Sequence, residues 1–135
     1  MTRGRFVTLA VVAGLWMPSS VLAHHSSSAF DTGKKVVLKG TVKEWIYSNP
    51  HCFLMIEVKG EDGQAVQWVA ETQAPAVIFP AGYRRDTFKA GDQVTITVEP
   101  FKDGRLFGRI LESVLADGKR LGVASSPPAA AVPVP

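Results

Sequence analysis

Cysteine and histidine are scarce in this chain: one Cys, Cys52, and three His, His24, His25 and His51, in 135 residues. A lone cysteine excludes an internal disulfide, so the fold of an exported chain of this kind has to rest on its core. A charge excess of one sign is also lacking, because fifteen Lys and Arg face twelve Asp and Glu. Loss of Arg3 and Arg5 with a leader brings thirteen against twelve, which leaves no general electrostatic reason to bind nucleic acid or an anionic membrane. Long apolar runs are missing too. The run from Phe6 to Met17 is shorter than the roughly 20 residues that a membrane-spanning helix needs, and Pro18 ends it. No Ser-His-Asp order, phosphate-cradling glycine loop or Cys-x-x-Cys pair is found, so no catalytic constellation emerges.

What is present at the amino end is the order of a secretory signal peptide: Arg3 and Arg5, the apolar run, then Pro18-Ser19-Ser20 and Val21-Leu22-Ala23. Cleavage after Ala23 is expected, giving a periplasmic protein with no stable membrane insertion. The expected parts are a signal peptide (1–23), an amino-terminal arm (24–35), a barrel domain (36–122) and a disordered tail (123–135). The tail is rich in Pro and Ala and has no periodicity.

The middle of the chain is written in the strand period. Val36, Leu38, Gly40 and Val42 alternate with Val37, Lys39, Thr41 and Lys43, and Gly40 inside the strand suggests a bend. After Asn49-Pro50, Leu54, Ile56 and Val58 fall on one face of a second strand closed by the turn Gly60-Glu61-Asp62-Gly63. A third strand runs from Ala65 to Glu71. Thr72 to Phe79 changes register and predicts a short helix, capped by Thr72 and stopped by Pro80 and Gly82. Val94 to Val98 predicts a fourth strand and Arg105 to Leu115 a fifth, separated by the Asp103-Gly104 turn. Five short strands with one helix between the third and fourth predict an all-β, OB-like Greek-key barrel, in which a bent first strand serves both sheets.

The chemistry that stands out is metal ligation. If Ala23 is the last residue removed, the free amine and ring nitrogen of His24 close a chelate on one ion. Such nitrogen ligands suit copper(II). His25 offers a second imidazole and His51 the only other one. By alternation His51 shares a face with Phe53, Met55 and Glu57. The ordinary alternatives are that His24 and His25 begin an inert Ser-rich arm and that His51 serves its turn or packs on an aromatic neighbour. Trp45, Tyr47 and Phe53 could form a stacking platform, though core and rim packing is the commoner use of such residues. Arg84 and Arg85 read as a solvated loop, Glu71 as an acid without an evident partner, and Asp92 as the acceptor of an Asx-type bond. Two functions follow: a metal-binding protein using His24, His25 and His51 with copper as cofactor, or a metal-free OB-like module that binds an exported protein or an oligosaccharide.

The motifs Ala23-His24-His25-Ser26 with Phe30-Asp31, Leu38-Lys39-Gly40-Thr41-Val42, Asn49-Pro50-His51, Trp68-Val69-Ala70-Glu71, Gly82-Tyr83-Arg84-Arg85-Asp86-Thr87 and Gly91-Asp92 stand in that order. Together they resemble a family of small exported proteins of Gram-negative bacteria, catalogued as a domain of unknown function. The resemblance runs from about Ala23 to Leu121 and implies an exported single domain, without an activity or cofactor. Tyr47 and Tyr83 stand where the family pattern leads one to expect tryptophan, and Pro80 interrupts the helical segment.

Overall fold

The computed structural model of the protein describes residues 27–122. The expected signal peptide and cleavage site, His24, His25 and the proline-rich tail lie outside the described residues. A 3-10 turn, Ser27–Ala29, leads into β1 (Val36–Ile46), β2 (Cys52–Lys59) and β3 (Ala65–Thr72). The helix α1 (Pro75–Ile78), β4 (Gln93–Pro100), β5 (Phe107–Val114) and β6 (Arg120–Gly122) complete the order. No helix among the described residues is long and apolar enough to cross a membrane.

Antiparallel pairing runs β3-β2-β1-β4-β5, and a parallel pairing of β3 with β5 closes the sheet into a barrel of five strands. This is the predicted architecture, with its one short helix between β3 and β4. Gly40 and Thr41 are the residues at which β1 pairs with both neighbours, Gly40 with Val58 of β2 and Val94 of β4, Thr41 with Glu57 and Gln93. A Cβ at Gly40 would run into the Glu57 carbonyl and come within 2.8 Å of Ile56 Cγ2, so only glycine lets the two neighbours approach this closely.

The inward faces follow the strand period. Leu38, Val42, Leu54, Ile56, Ile96 and Val98 are fully buried, and Trp68 joins them in the same core. Each large aliphatic side chain taken out of water in this way stabilises the barrel by about 1.5–3 kcal/mol. Trp68 Nε1 is buried without a hydrogen bond, which offsets part of the gain from its ring.

Three elements differ from the sequence expectation. Thr72 is the last residue of β3 and not a helix cap, and α1 is a single turn that begins at Pro75 with no side-chain cap. The continuing ladder between Cys52 and Thr72 holds Thr72 in the sheet, and the pair Pro80 and Gly82 leaves no room for a longer helix. β5 begins at Phe107, two residues after the expected start. β6, absent from the sequence reading, lies antiparallel to β5 with Leu121 opposite Ser113.

Candidate functional site

Along β2 the alternation sends Cys52, Leu54, Ile56 and Val58 into the core and leaves His51, Phe53 and Met55 on the outer face. In the β2–β3 ladder Phe53 lies opposite Glu71, so His51, two residues earlier, is the diagonal neighbour of that carboxylate. His51 Nδ1 and Glu71 Oε1 are in close contact. Nδ1 is itself buried and has no hydrogen bond of regular geometry, while the His51 side chain as a whole is 38% exposed. The exposure therefore belongs to the remainder of the ring. That ring also stacks on Phe53, with centroids 6.4 Å apart and planes at 25°. The turn before it is held by Ser48, whose hydroxyl donates to the His51 carbonyl at 3.3 Å.

Glu71 is 5% exposed, and it belongs to a row that continues across the barrel. Glu71 pairs in register with Arg109 through the parallel β3–β5 contact, and Arg109 pairs with Glu99 of β4. Arg109 donates to Glu99 Oε2 from Nε at 3.1 Å and from Nη2 at 2.5 Å. Two acids, a guanidinium and an imidazole thus lie along one side of the barrel, each with an opposite partner.

The arm meets this row through Phe30, which is 4% exposed. Its ring lies 4.8 Å from that of Phe101, and the Arg109 guanidinium carbon sits 5.0 Å from its centroid. Asp31 donates its amide to the Pro100 carbonyl at 2.8 Å, and Lys102 donates to the Ala29 carbonyl at 3.0 Å. Phe30, His51, Glu71 and Arg109, from four separate stretches of sequence, all line one cleft of about 390 Å³. Val77 and Ile78 of α1 and Ile110 of β5 supply its apolar lining.

Of the residues read from the sequence as metal ligands, His51 is placed and half-exposed at this cleft, while His24 and His25 lie outside the described residues. Among the described residues no group of three His, Cys, Asp or Glu stands close enough to hold a metal ion. Cys52 is turned into the core, where burial pushes its thiol up and its Sγ lies 3.6 Å from the Ser48 carbonyl. Such a thiol is a poor ligand and a poor nucleophile.

Trp45 and Tyr47 pack against the barrel. Trp45 donates Nε1–H to the Arg84 carbonyl at 3.0 Å and meets Phe88 edge-on at 5.0 Å. Arg84 is more than a solvated loop residue: it donates to the Phe79 and Tyr83 carbonyls at 2.7 and 2.8 Å and covers the Phe79 ring. Asp92 accepts a turn bond from the Lys89 amide at 2.8 Å, three residues before it and not two residues on as an Asx-type bond would run. Glu71, Arg109 and Phe30 were not read as site residues. Counting outward from Asp62 at the hairpin turn pairs Phe53 with Glu71, and that count was the available signal for the His51 contact.

A closed five-stranded β-barrel with an arm anchored beside an imidazole–carboxylate pair is thus the class of protein. The chain belongs to the Family of unknown function (DUF6152), whose model matches residues 12–110. Neither a curated protein nor a solved structure matches it.

Proposed function

We propose that this is an exported copper-binding protein in which His51 supplies one oriented imidazole and the amino-terminal arm supplies the rest. The observation that carries the reading is the contact of His51 Nδ1 with the buried carboxylate of Glu71. A metal-ligating histidine usually gives its other ring N–H to a carboxylate, which fixes the ring and makes the free nitrogen a better donor. In this reading the ring is neutral with its proton on Nδ1, beside Glu71, which leaves Nε2 its lone pair.

The barrel side chains present one imidazole, which fits a shared site and not a complete one. The further donors in this reading are the amine and ring of His24, with His25 beside them, and nitrogen ligands of this kind favour copper(II). Phe30 is fixed at the same cleft, and the six steps of chain from it back to His24 can reach at most about 20 Å. That span brings His24 within range of His51. The bound ion would supply a redox-active, transferable copper centre. Periplasmic location belongs to the same proposal and rests on the signal-peptide pattern before His24.

Copper(II) titration of three proteins tests it: the chain starting at His24, the same chain with an alanine added before His24, and His51→Ala. Both altered proteins are expected to bind more weakly. Unchanged affinity with the extra alanine defeats the amino-terminal chelate, and unchanged affinity in His51→Ala removes the barrel from the site. Mass spectrometry of the native protein reports its amino terminus and any retained metal together. A second reading, a metal-free module that binds an exported protein or an oligosaccharide, is favoured by Val77 and Phe79, 56% and 51% exposed on and beside α1. The added alanine leaves that activity intact.

A further inference from the structure

Where β1 meets both of its neighbours, a groove of about 630 Å³ crosses strands β2, β1, β4 and β5. Its polar side chains alternate along the strands with the buried Leu38, Val42, Val58 and Ile96, so they stand on the outer face of the barrel. No residue lines both this groove and the cleft of His51.

Two exposed lysines, Lys39 of β1 and Lys59 of β2, line one end of the groove. The antiparallel register that sets Thr41 against Glu57 and Gly40 against Val58 brings Lys39 opposite Lys59 one step further on. Like charges at facing positions of a strand pair repel. The acids close by are engaged elsewhere. Glu57, which also lines the groove, is held by Lys43 at 3.2 Å, and Glu112, two residues before Val114, is held by Arg120 at 2.9 Å. Among the described residues neither Lys39 nor Lys59 has an acidic partner.

The adjoining row is uncharged and fixed. Thr41 lies against Gln93 in the β1–β4 register, and Gln93 Nε2 donates to Thr41 Oγ1 at 2.8 Å. That bond orients both groups, leaving the Thr41 hydroxyl its proton to donate and Gln93 Oε1 its lone pairs to accept. Thr95, opposite Lys39, adds a second hydroxyl. Val114, opposite Thr95, and Leu115 close the far side with half-buried aliphatic side chains.

An anion between the two ammonium groups relieves their repulsion and accepts charge-assisted hydrogen bonds from both. A bare anion leaves the rest of the groove unused. The oriented donor and acceptor beside an aliphatic wall fit a body with hydroxyls on its edge and C–H groups on its face, which is the surface of a sugar ring. We propose that this groove binds an acidic saccharide, one whose rings carry carboxylate or phosphate groups. The acid group lies between Lys39 and Lys59, ring hydroxyls meet Thr41 and Gln93, and a ring face rests on Val114 and Leu115. The proposal requires neither a metal nor the exposed residues of α1, so it stands or falls apart from both readings of the His51 cleft.

The test titrates the chain starting at His24, in the presence of EDTA, with trigalacturonate, glucose 6-phosphate, maltotriose and inorganic phosphate, followed by calorimetry and amide NMR. At least one of the two acidic sugars is expected to bind about tenfold more tightly than maltotriose and than inorganic phosphate. Its amide shifts are expected at Lys39, Thr41, Gln93 and Thr95, with His51 and Glu71 unmoved. Lys39→Gln and Lys59→Gln are each expected to weaken that binding about 5–10-fold while leaving the fold intact, since both side chains are exposed. Lys102→Gln, an exposed lysine outside the groove, is expected to leave it unchanged. Equal affinity for maltotriose overturns the role of the lysines, and equal affinity for inorganic phosphate overturns the saccharide. No binding of either acidic sugar at millimolar concentration, or shifts confined to the His51 cleft, overturns the proposal as a whole.

Discussion

Replacing Glu71 by Gln keeps the side-chain shape and removes its charge. Glu71 is buried with its carboxylate against His51 Nδ1, so the change alters a contact made through little water, and disturbing a buried polar group of this kind costs about 1–3 kcal/mol. The amide also changes what His51 can do. A glutamine that turns its N–H toward Nδ1 stabilises the ring form with its proton on Nε2, which takes away the lone pair needed by a metal. Loss of such a supporting partner usually lowers metal affinity about 10–100-fold, which is about 1.4–2.7 kcal/mol. Glu71→Gln is therefore expected to lose both folding stability, in urea unfolding, and copper(II) affinity, in titration. Glu57→Gln is the control, because Glu57 is an exposed strand carboxylate paired only with Lys43 at 3.2 Å, and such pairs contribute about 0–1 kcal/mol. If Glu71→Gln unfolds more readily yet binds copper as tightly as the parent, Glu71 serves the fold alone and the argument from the oriented imidazole fails.

Ile96→Ala empties a fully buried position in the barrel and is expected to cost about 2–5 kcal/mol, read from the urea midpoint; a loss below 1 kcal/mol would show that the core is not packed as described. Gly40→Ala puts a methyl group against the Glu57 carbonyl, where backbone and not a flexible side chain must yield, so a loss of about 1–3 kcal/mol is expected in the same assay. Burial pushes the Tyr83 phenol from 10.0 up to about 12, against the opposing effect of its 2.9 Å hydrogen bond with Ser113. The folded state holds this proton more tightly than the unfolded one. The resulting stability is complete below about pH 10, amounts to about 3 kcal/mol, and is lost as pH rises toward about 12. Tyr83→Phe should flatten that part of the stability profile, and an unchanged alkaline slope in Tyr83→Phe counts against the assignment.

Much of the barrel is legible because period-two alternation and glycine-containing turns mark strands whatever their partners. Leu54, Ile56, Val94 and Ile96 follow from alternation alone, and Gly40 marks the crowded point where β1 meets both neighbours. The helix was overestimated because the same residues that resemble a capped start, Thr72 onward, also continue the pairing begun at Cys52. β6 has three residues, too few for any periodicity to register. The site was harder to read because each half of it depends on a distant contact. His51 was singled out as a histidine, but its partner Glu71 becomes visible only when the hairpin register is counted. The parallel contact that brings Arg109 beside Glu71 has no local signal at all. Phe30 was noted as part of a motif, and nothing in the arm's sequence indicates that it packs under Arg109.

The barrel is closed by three rungs, Val69 with Phe107, Ala70 with Gly108 and Glu71 with Arg109. Every other strand pair can form by antiparallel pairing before this seam exists, and the seam rests on three rungs where β1 has six with each of its neighbours, so it is a natural place for sub-global opening. Glu71 and Arg109 are themselves one of its rungs, which makes the candidate site and the last stitch of the fold the same residues. Hydrogen exchange at Val69, whose amide donates across the seam to the Leu106 carbonyl at 3.0 Å, would then record its opening. Any ligand held between the arm and β2 that stiffens Glu71 would register there as slower exchange, far from the atoms it touches.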